Sequence, residues 1–430
     1  MDVLQWITHL PVPALNRCRV PYRLDDVTDL GEEVRAHEVG LSQAAIERLW
    51  DAVGLLYRAG LHPAIQVCIR HRGAVVLHRA LGHAAGNEPG ASPEDPKVLA
   101  TTATPFCLFS ASKAITAMVI HKLDERGQLH LEDPVCEYIP EFARHGKDRI
   151  TIRHILAHRA GIPNLPPEAM DLDLLPRPDR VVEIMCEQKP QTRPGRLLAY
   201  HAVSGGFVLG EVVRAITGQD IRTVLHKEIL EPIGLRWMNY GVKPAEVERV
   251  AVNAVTGLPM PPPISTVIER ALGTTLANAV ALSNDPRFLT GVIPSANIVS
   301  TAYELSAFYQ CLLNGGELGG VRVFEPRTVG HATSEQSYWE LDLTLGVPIR
   351  YGLGFMLGGN PGLFGRDASE AFGHIGLSNV TGWADPERDL SVGIVTSGKP
   401  LLGAHIVRLV NVMLEIGNAV PKLGGRRSGG

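Results

Sequence analysis

Paired cysteines, excess basic charge, metal-ligand spacing and long apolar runs are all missing from this 430-residue chain. Six cysteines, at 18, 68, 107, 136, 186 and 311, stand apart with no C-x-x-C pair. That excludes a disulfide framework and a zinc ribbon, and predicts reduced thiols and a cytoplasmic location. Lys and Arg number 41 against 45 Asp and Glu, a net charge of −4, so no nucleic-acid partner is expected. Sixteen histidines occur without H-E-x-x-H or similar spacing, so no metal and no cofactor are expected. No apolar stretch is long enough for a transmembrane segment. The start, Met1-Asp2-Val3-Leu4-Gln5-Trp6, has an early acid and no basic segment, and does not read as a secretory signal. Gly-x-Ser-x-Gly is also absent. Ala202-Val203-Ser204-Gly205-Gly206 lacks the first glycine and Gly376-Leu377-Ser378-Asn379-Val380 the second, which excludes the nucleophile elbow of α/β-hydrolases.

The composition that remains, 45% hydrophobic and 20% charged, suits a globular enzyme with a large core. Residues 1–40 lack periodicity and read as an N-terminal extension. Ser42 caps a helix that starts near Leu41. Ala64 to Arg70 and Ala74 to His78, joined by His71-Arg72-Gly73, read as a β-hairpin. From 130 to about 290 the pattern is mostly helical, with Thr151 capping one helix and Gly218 ending another. Pro-rich stretches at 163–178 and 258–264 read as loops or lids. Strands return at Tyr351 to Met356, Ala371 to Ala384 and Leu390 to Thr396. The expectation is an α+β fold: an antiparallel sheet built from both chain ends and flanked by helices, with an inserted, mostly helical domain. Its parts are 41–106 with 290–420 for the sheet domain, 107–289 for the helical domain, and 421–430 as a disordered tail.

The chemistry concentrates at Phe109-Ser110-Ala111-Ser112-Lys113. Ser110 and Lys113 are three apart and share one helical face. No other lysine in the chain has a serine three residues before it. Apolar residues at 115, 118, 119 and 123 make the following segment a buried helix. Its N-terminus favours a developing alkoxide and a neutral lysine, the arrangement of an activated serine nucleophile. Such chemistry also needs a proton shuttle and two N–H donors for an oxyanion. Tyr200 is a candidate, since a phenol beside an ammonium is expected to shift toward phenolate. At Gly373-His374-Ile375-Gly376, the last glycine lets a ligand or another backbone approach closely.

Together these motifs resemble the serine β-lactamase-like superfamily, in its branch of class C β-lactamases, D-alanyl-D-alanine carboxypeptidases and family VIII carboxylesterases. The resemblance runs from about residue 45 to 415. Leu108 to Lys113 looks like the nucleophile motif, Pro194-Gly195 through Tyr200 like the second motif, and His374-Ile375-Gly376 like the third in its H-x-G form. Leu131 to Val135, Thr151 to His158, Ser300-Thr301-Ala302, Tyr351 to Gly354 and Trp383 to Pro386 fit in order.

The resemblance implies a β-lactamase/transpeptidase-like fold. It also implies that Ser110 attacks the acyl carbon, that Lys113 and Tyr200 share the acid-base roles, and that the N–H groups of Ser110 and Leu377 hold the oxyanion. His374, Gly376 and His201 would line the substrate. One departure stands out. The second motif is usually Tyr-x-Asn, and here it is Tyr200-His201-Ala202. Alanine cannot hydrogen-bond a substrate amide, which favours carboxylic esters of short to medium acyl length over β-lactams and peptides. The Pro-rich lid segments, with Leu258 and Met260 to Pro263, are expected to wall the acyl group. Ser295-Ala296-Asn297 reads as a loop turn. An acyltransferase with the same acyl-enzyme, a β-lactamase or D-amino peptidase, and a non-catalytic penicillin-recognising protein are the rival readings. The implied partner is a small-molecule ester, and a homo-oligomer is compatible with the composition.

Overall fold

Alternating β-branched and aliphatic residues near both chain ends pair into one antiparallel sheet. The computed structural model describes residues 16–403 and 405–424. Its main path runs Thr28–Leu30, Ala74–Ala85, Ala64–His71, Leu390–Thr396, Thr381–Asp385, Phe372–Ile375, Met356–Leu357, Val347–Tyr351 and Ser337–Asp342. The two chain ends meet where Ile65 pairs with Thr396 and His71 with Leu390. That junction is the α+β arrangement expected from the sequence. Helices Gln43–Tyr57 and His405–Ala419 pack together with an apolar cluster that includes Ile46, Leu49, Val67, Ile394 and Trp383. Helix Ala302–Leu313 packs on the sheet through a second cluster that also holds Ser112–Glu125. The latter helix is buried along nearly its whole length. No helix among the described residues is long and apolar enough to cross a membrane.

Several local expectations need adjusting. The extension is partly structural: Thr28–Leu30 adds a strand beside Ala74–Ala85, while 1–15 lie outside the described residues. Ser42 occupies the cap position of its helix, but its side chain makes no cap bond. Thr151 does cap, in a reciprocal box with His154. The mostly helical region also contains a strand, Asn239–Tyr240, which pairs with Ile298–Ser300, itself paired with Phe106–Cys107, in a small separate sheet. The run 371–384 is a hairpin, broken at 376–380, because Ser378 and Asn379 both adopt positive φ (48° and 64°). At the tail, the part of 421–430 that is described is anchored, not disordered. Leu423 N–H donates to the Glu387 carbonyl at 2.9 Å, and Lys422 pairs with Glu387 and Asp367. Residues 425–430 lie outside the described residues. All six cysteines are free thiols.

Candidate active site

Ser110 sits in a 3-10 turn, Phe109–Ala111, that runs directly into helix Ser112–Glu125. Three residues of this tight geometry bring Lys113 round to the same side, with Nζ 3.1 Å from Ser110 Oγ. A second bond fixes the amine: Nζ donates to the Ser295 carbonyl at 3.0 Å. Lys113 is only 8% exposed, with no ion pair among the described residues. Burial alone disfavours the ammonium and lowers its pKa from 10.5 to about 7.

Tyr200 lies on the irregular segment before helix Ser204–Thr217. Its ring centroid is 4.9 Å from Lys113 Nζ. Burial pushes the phenol pKa up, the Ser110 hydroxyl bonded to it pulls the other way, and the nearby Asp342 carboxylate pushes up again. This corrects the expectation of a phenolate. With both groups buried, the neutral amine and the neutral phenol are the favoured forms. Asp342, wholly buried, accepts the Tyr200 N–H at 3.1 Å and the Thr344 and Leu345 N–H groups at 2.9 and 3.0 Å. That carboxylate fixes the backbone that carries the phenol.

Imidazoles surround this pair. His374 lies on strand Phe372–Ile375 with its ring 6.3 Å from that of Tyr200. Its Nδ1 is 2.8 Å from the Ile375 carbonyl. Burial, with a smaller contribution from Lys113, lowers its pKa to about 3. His201 is tied to the backbone: its Nε2 accepts the Ile162 N–H at 3.3 Å. Burial lowers its pKa to about 3 as well. His158, a residue that sequence reasoning missed, lies 4.7 Å from the Tyr200 ring and accepts the His201 N–H at 3.2 Å.

The turn after His374 carries the expected second N–H donor. Gly376 N–H donates to the Val380 carbonyl at 2.7 Å, which closes the turn around Leu377. A Cβ at Gly376 would lie 2.2 Å from the Leu108 carbonyl, so only glycine lets this turn approach the nucleophile's segment. The Ser110 and Leu377 N–H groups have no hydrogen-bond acceptor among the described residues. Two backbone donors left open beside a serine hydroxyl can receive an oxyanion.

An apolar cavity of about 90 Å³ opens here, lined by Phe109, Leu172, Val203, Phe207, Phe288 and Leu377 among others. Leu165, Met170 and Leu175, from the first Pro-rich stretch, complete it, with Leu272 and Leu282. The expected wall from Leu258 and Met260 to Pro263 does not line it; Leu258 is 43% exposed to solvent. The largest cavity described, about 730 Å³, lies against the other side chains of the 375–381 turn; neither it nor the apolar cavity is lined by Ser110, Lys113 or Tyr200, and the apolar cavity meets the nucleophile's turn through Phe109.

Ser295-Ala296-Asn297 is a loop, as expected, but its place in the site was not foreseen. Asn297 Nδ2 donates to the Phe288 and Gly291 carbonyls, and its Oδ1 accepts the Ile293 N–H. Ser295 Oγ bridges Gly206 and Val203. The loop so braced aims the Ser295 carbonyl at Lys113. The Asn297 triplet was visible in the sequence; its contact across 182 residues was not.

Comparison with known proteins gives one family. The β-lactamase family profile matches residues 44–414. An esterase/β-lactamase of Mycobacterium tuberculosis, LipL, is 34% identical over 306 residues, covering 67% of this chain and 68% of that protein. Among solved structures, a penicillin-binding protein homologue from Caulobacter crescentus superposes with a TM-score of 0.75 at 26% identity, covering 89% of this chain and 99% of the other. A family VIII carboxylesterase superposes with a TM-score of 0.73 at 26% identity, covering 87% and 98%.

Proposed function

Because the chain belongs to the β-lactamase family and is a hydrolase of the serine β-lactamase fold, we propose that it is a serine carboxylesterase acting on small esters of short- to medium-chain acids. The observation that carries this reading is the Ser110–Lys113 contact of 3.1 Å beside an apolar cavity. The free amine of Lys113 takes the Ser110 proton as Oγ attacks the acyl carbon. The Ser295 carbonyl holds one amine hydrogen and leaves the lone pair for the serine. The N–H groups of Ser110 and Leu377 hold the oxyanion. As the tetrahedral intermediate collapses, the Tyr200 phenol gives its proton to the departing alkoxide and recovers one from Lys113. Water then attacks the acyl-enzyme by the same route in reverse, releasing the acid and restoring Ser110. The acyl chain lies in the cavity walled by Leu172, Phe207 and Phe288.

Ala202, a buried alanine in the second motif, supports esters over amides. A substrate amide without its partner loses roughly 1–3 kcal/mol, about ten- to a hundred-fold in rate. The test compares p-nitrophenyl butyrate with nitrocefin, alongside fluorophosphonate labelling mapped to Ser110. The ester should be favoured by at least tenfold in kcat/KM. Efficient nitrocefin turnover would make the protein a β-lactamase instead, and an active protein labelled elsewhere would remove Ser110 from the mechanism.

A further inference from the structure

Lys399 is the one fully buried lysine near the site that the mechanism above does not use. It follows strand Leu390–Thr396 in the short run Ser397-Gly398-Lys399, which is pinned on both sides. Ser397 N–H donates to the Ala64 carbonyl at 3.1 Å, and Lys399 N–H to the Ala254 carbonyl at 2.8 Å. The side chain has no exposed surface. Its Nζ donates to the Thr396 carbonyl at 2.6 Å and stands 4.7 Å from the centre of the Phe109 ring. No carboxylate pairs with it among the described residues.

Phe109 immediately precedes Ser110 and adopts φ +48°. For a bulky aromatic residue that region is strained, and such strain persists only where the surroundings hold it. The same ring lines the apolar cavity. The Lys399 segment also reaches the other oxyanion donor, since Thr396 Oγ1 donates to the Ser378 carbonyl, next to Leu377, at 3.2 Å. One short segment thus braces both turns that present the open N–H groups.

We infer that Lys399 is a positioning residue: its ammonium, seated on the Phe109 ring and the Thr396 carbonyl, holds the strained turn that sets the Ser110 hydroxyl and N–H in place for acyl transfer. This rests on Ser110 being the nucleophile. A cation on an aromatic face shielded from water is a strong contact, and it weakens when the amine loses its proton.

The charge state is therefore part of the device. Burial lowers the Lys399 pKa to about 7. The titratable groups facing it are the Cys107 thiol, pushed up to about 11 by burial, and His62, pushed down to about 3. Both stay neutral near pH 7, so neither replaces the lysine's charge. Lys113 must be a free amine to act, whereas Lys399 must be an ammonium to hold the turn. Rising pH favours the first and removes the second.

The experiment is the pH profile of kcat/KM for p-nitrophenyl butyrate between pH 5.5 and 9.5. If losing the ammonium costs about tenfold, the unmodified protein should rise to a maximum near pH 7 and then fall about threefold to a plateau, because Lys113 and Lys399 titrate together. Lys399→Met should sit about fivefold below the unmodified protein at pH 7 and keep only the rising limb. Lys399→Arg, charged throughout this range, should restore part of the rate and abolish the alkaline fall. A Lys399→Met protein as active as the unmodified one at pH 7 overturns the inference, as does a Lys399→Arg profile that keeps the fall. Should neither variant fold, the unmodified protein decides, because a profile that rises to a flat plateau with no fall beyond pH 7 refutes the role. Such a flat profile with Ser110 still labelled by a fluorophosphonate leaves the esterase reading standing. Absence of both labelling and turnover brings down the esterase reading and this inference with it.

Discussion

Replacing Lys113 with methionine should destroy activity and yet make the protein more stable. Burial lowers the amine's pKa from 10.5 to about 7. Between those values the unfolded chain binds a proton that the folded chain does not, so folding stability rises with pH across that window. The cost of keeping the amine buried is full below pH 7 and vanishes above pH 10.5. At 1.36 kcal/mol per unit, it is about 4–5 kcal/mol at pH 7. Methionine removes this cost but forfeits the bonds to Ser110 Oγ and the Ser295 carbonyl. The orphan left behind is the Ser295 carbonyl, worth roughly 1–3 kcal/mol. The balance is a gain of about 1–4 kcal/mol at pH 7, or a few degrees in Tm. The assay is thermal unfolding of both proteins at pH 7 and pH 9.5, with ester turnover measured alongside. By pH 9.5 the buried-amine cost has fallen to about 1–2 kcal/mol, so the variant's advantage should close or reverse. A Lys113→Met protein less stable than the unmodified one at pH 7, or an advantage that does not change with pH, refutes the argument that burial tunes this lysine.

Three further outcomes are expected. Ser110→Ala should lose several orders of magnitude in ester hydrolysis, with an unchanged circular dichroism spectrum; more than a few per cent of residual activity contradicts the mechanism. Lys113→Ala and Tyr200→Phe should each remove most of the acylation rate, and the double variant should be little worse, since both groups belong to one proton-transfer unit. Additive losses in that cycle would mean independent roles. Ala202→Asn should narrow the preference for p-nitrophenyl butyrate over nitrocefin, and an unchanged ratio would detach Ala202 from substrate choice.

The readable parts of this protein are the ones with short-range signatures. Ser110 and Lys113 share a helical face at a spacing of three, and the run 390–396 is a β-branched strand whose bounds match the expectation. Gly376 was legible as a place of close approach, and the Leu108 carbonyl is what approaches. What escaped depends on contacts between distant parts of the chain. Asp342 anchors Tyr200 from 142 residues away, and nothing around it marks it out from other strand carboxylates. Of the two Pro-rich stretches, 163–178 lines the apolar cavity and 258–264 does not, although both have the same local character. Only the packing of Leu165 to Leu175 against Phe207 and Phe288 separates them.

The phenolate expectation failed for a related reason. From the sequence, a lysine beside a tyrosine suggests an ion pair, in which the ammonium lowers the phenol's pKa. That holds only if water or counter-charge keeps the ammonium charged. Here the pair is enclosed by His158, His201 and His374, all of which burial keeps neutral. In such surroundings each group takes its uncharged form, and the lysine is the one of the two that has a free lone pair near pH 7. The Ser110 proton therefore has one acceptor in reach, the Lys113 amine. The Tyr200 phenol already carries the proton that the leaving alkoxide needs. Among the described residues, the one carboxylate close to this pair, Asp342, is itself held by three backbone N–H groups, those of Tyr200, Thr344 and Leu345.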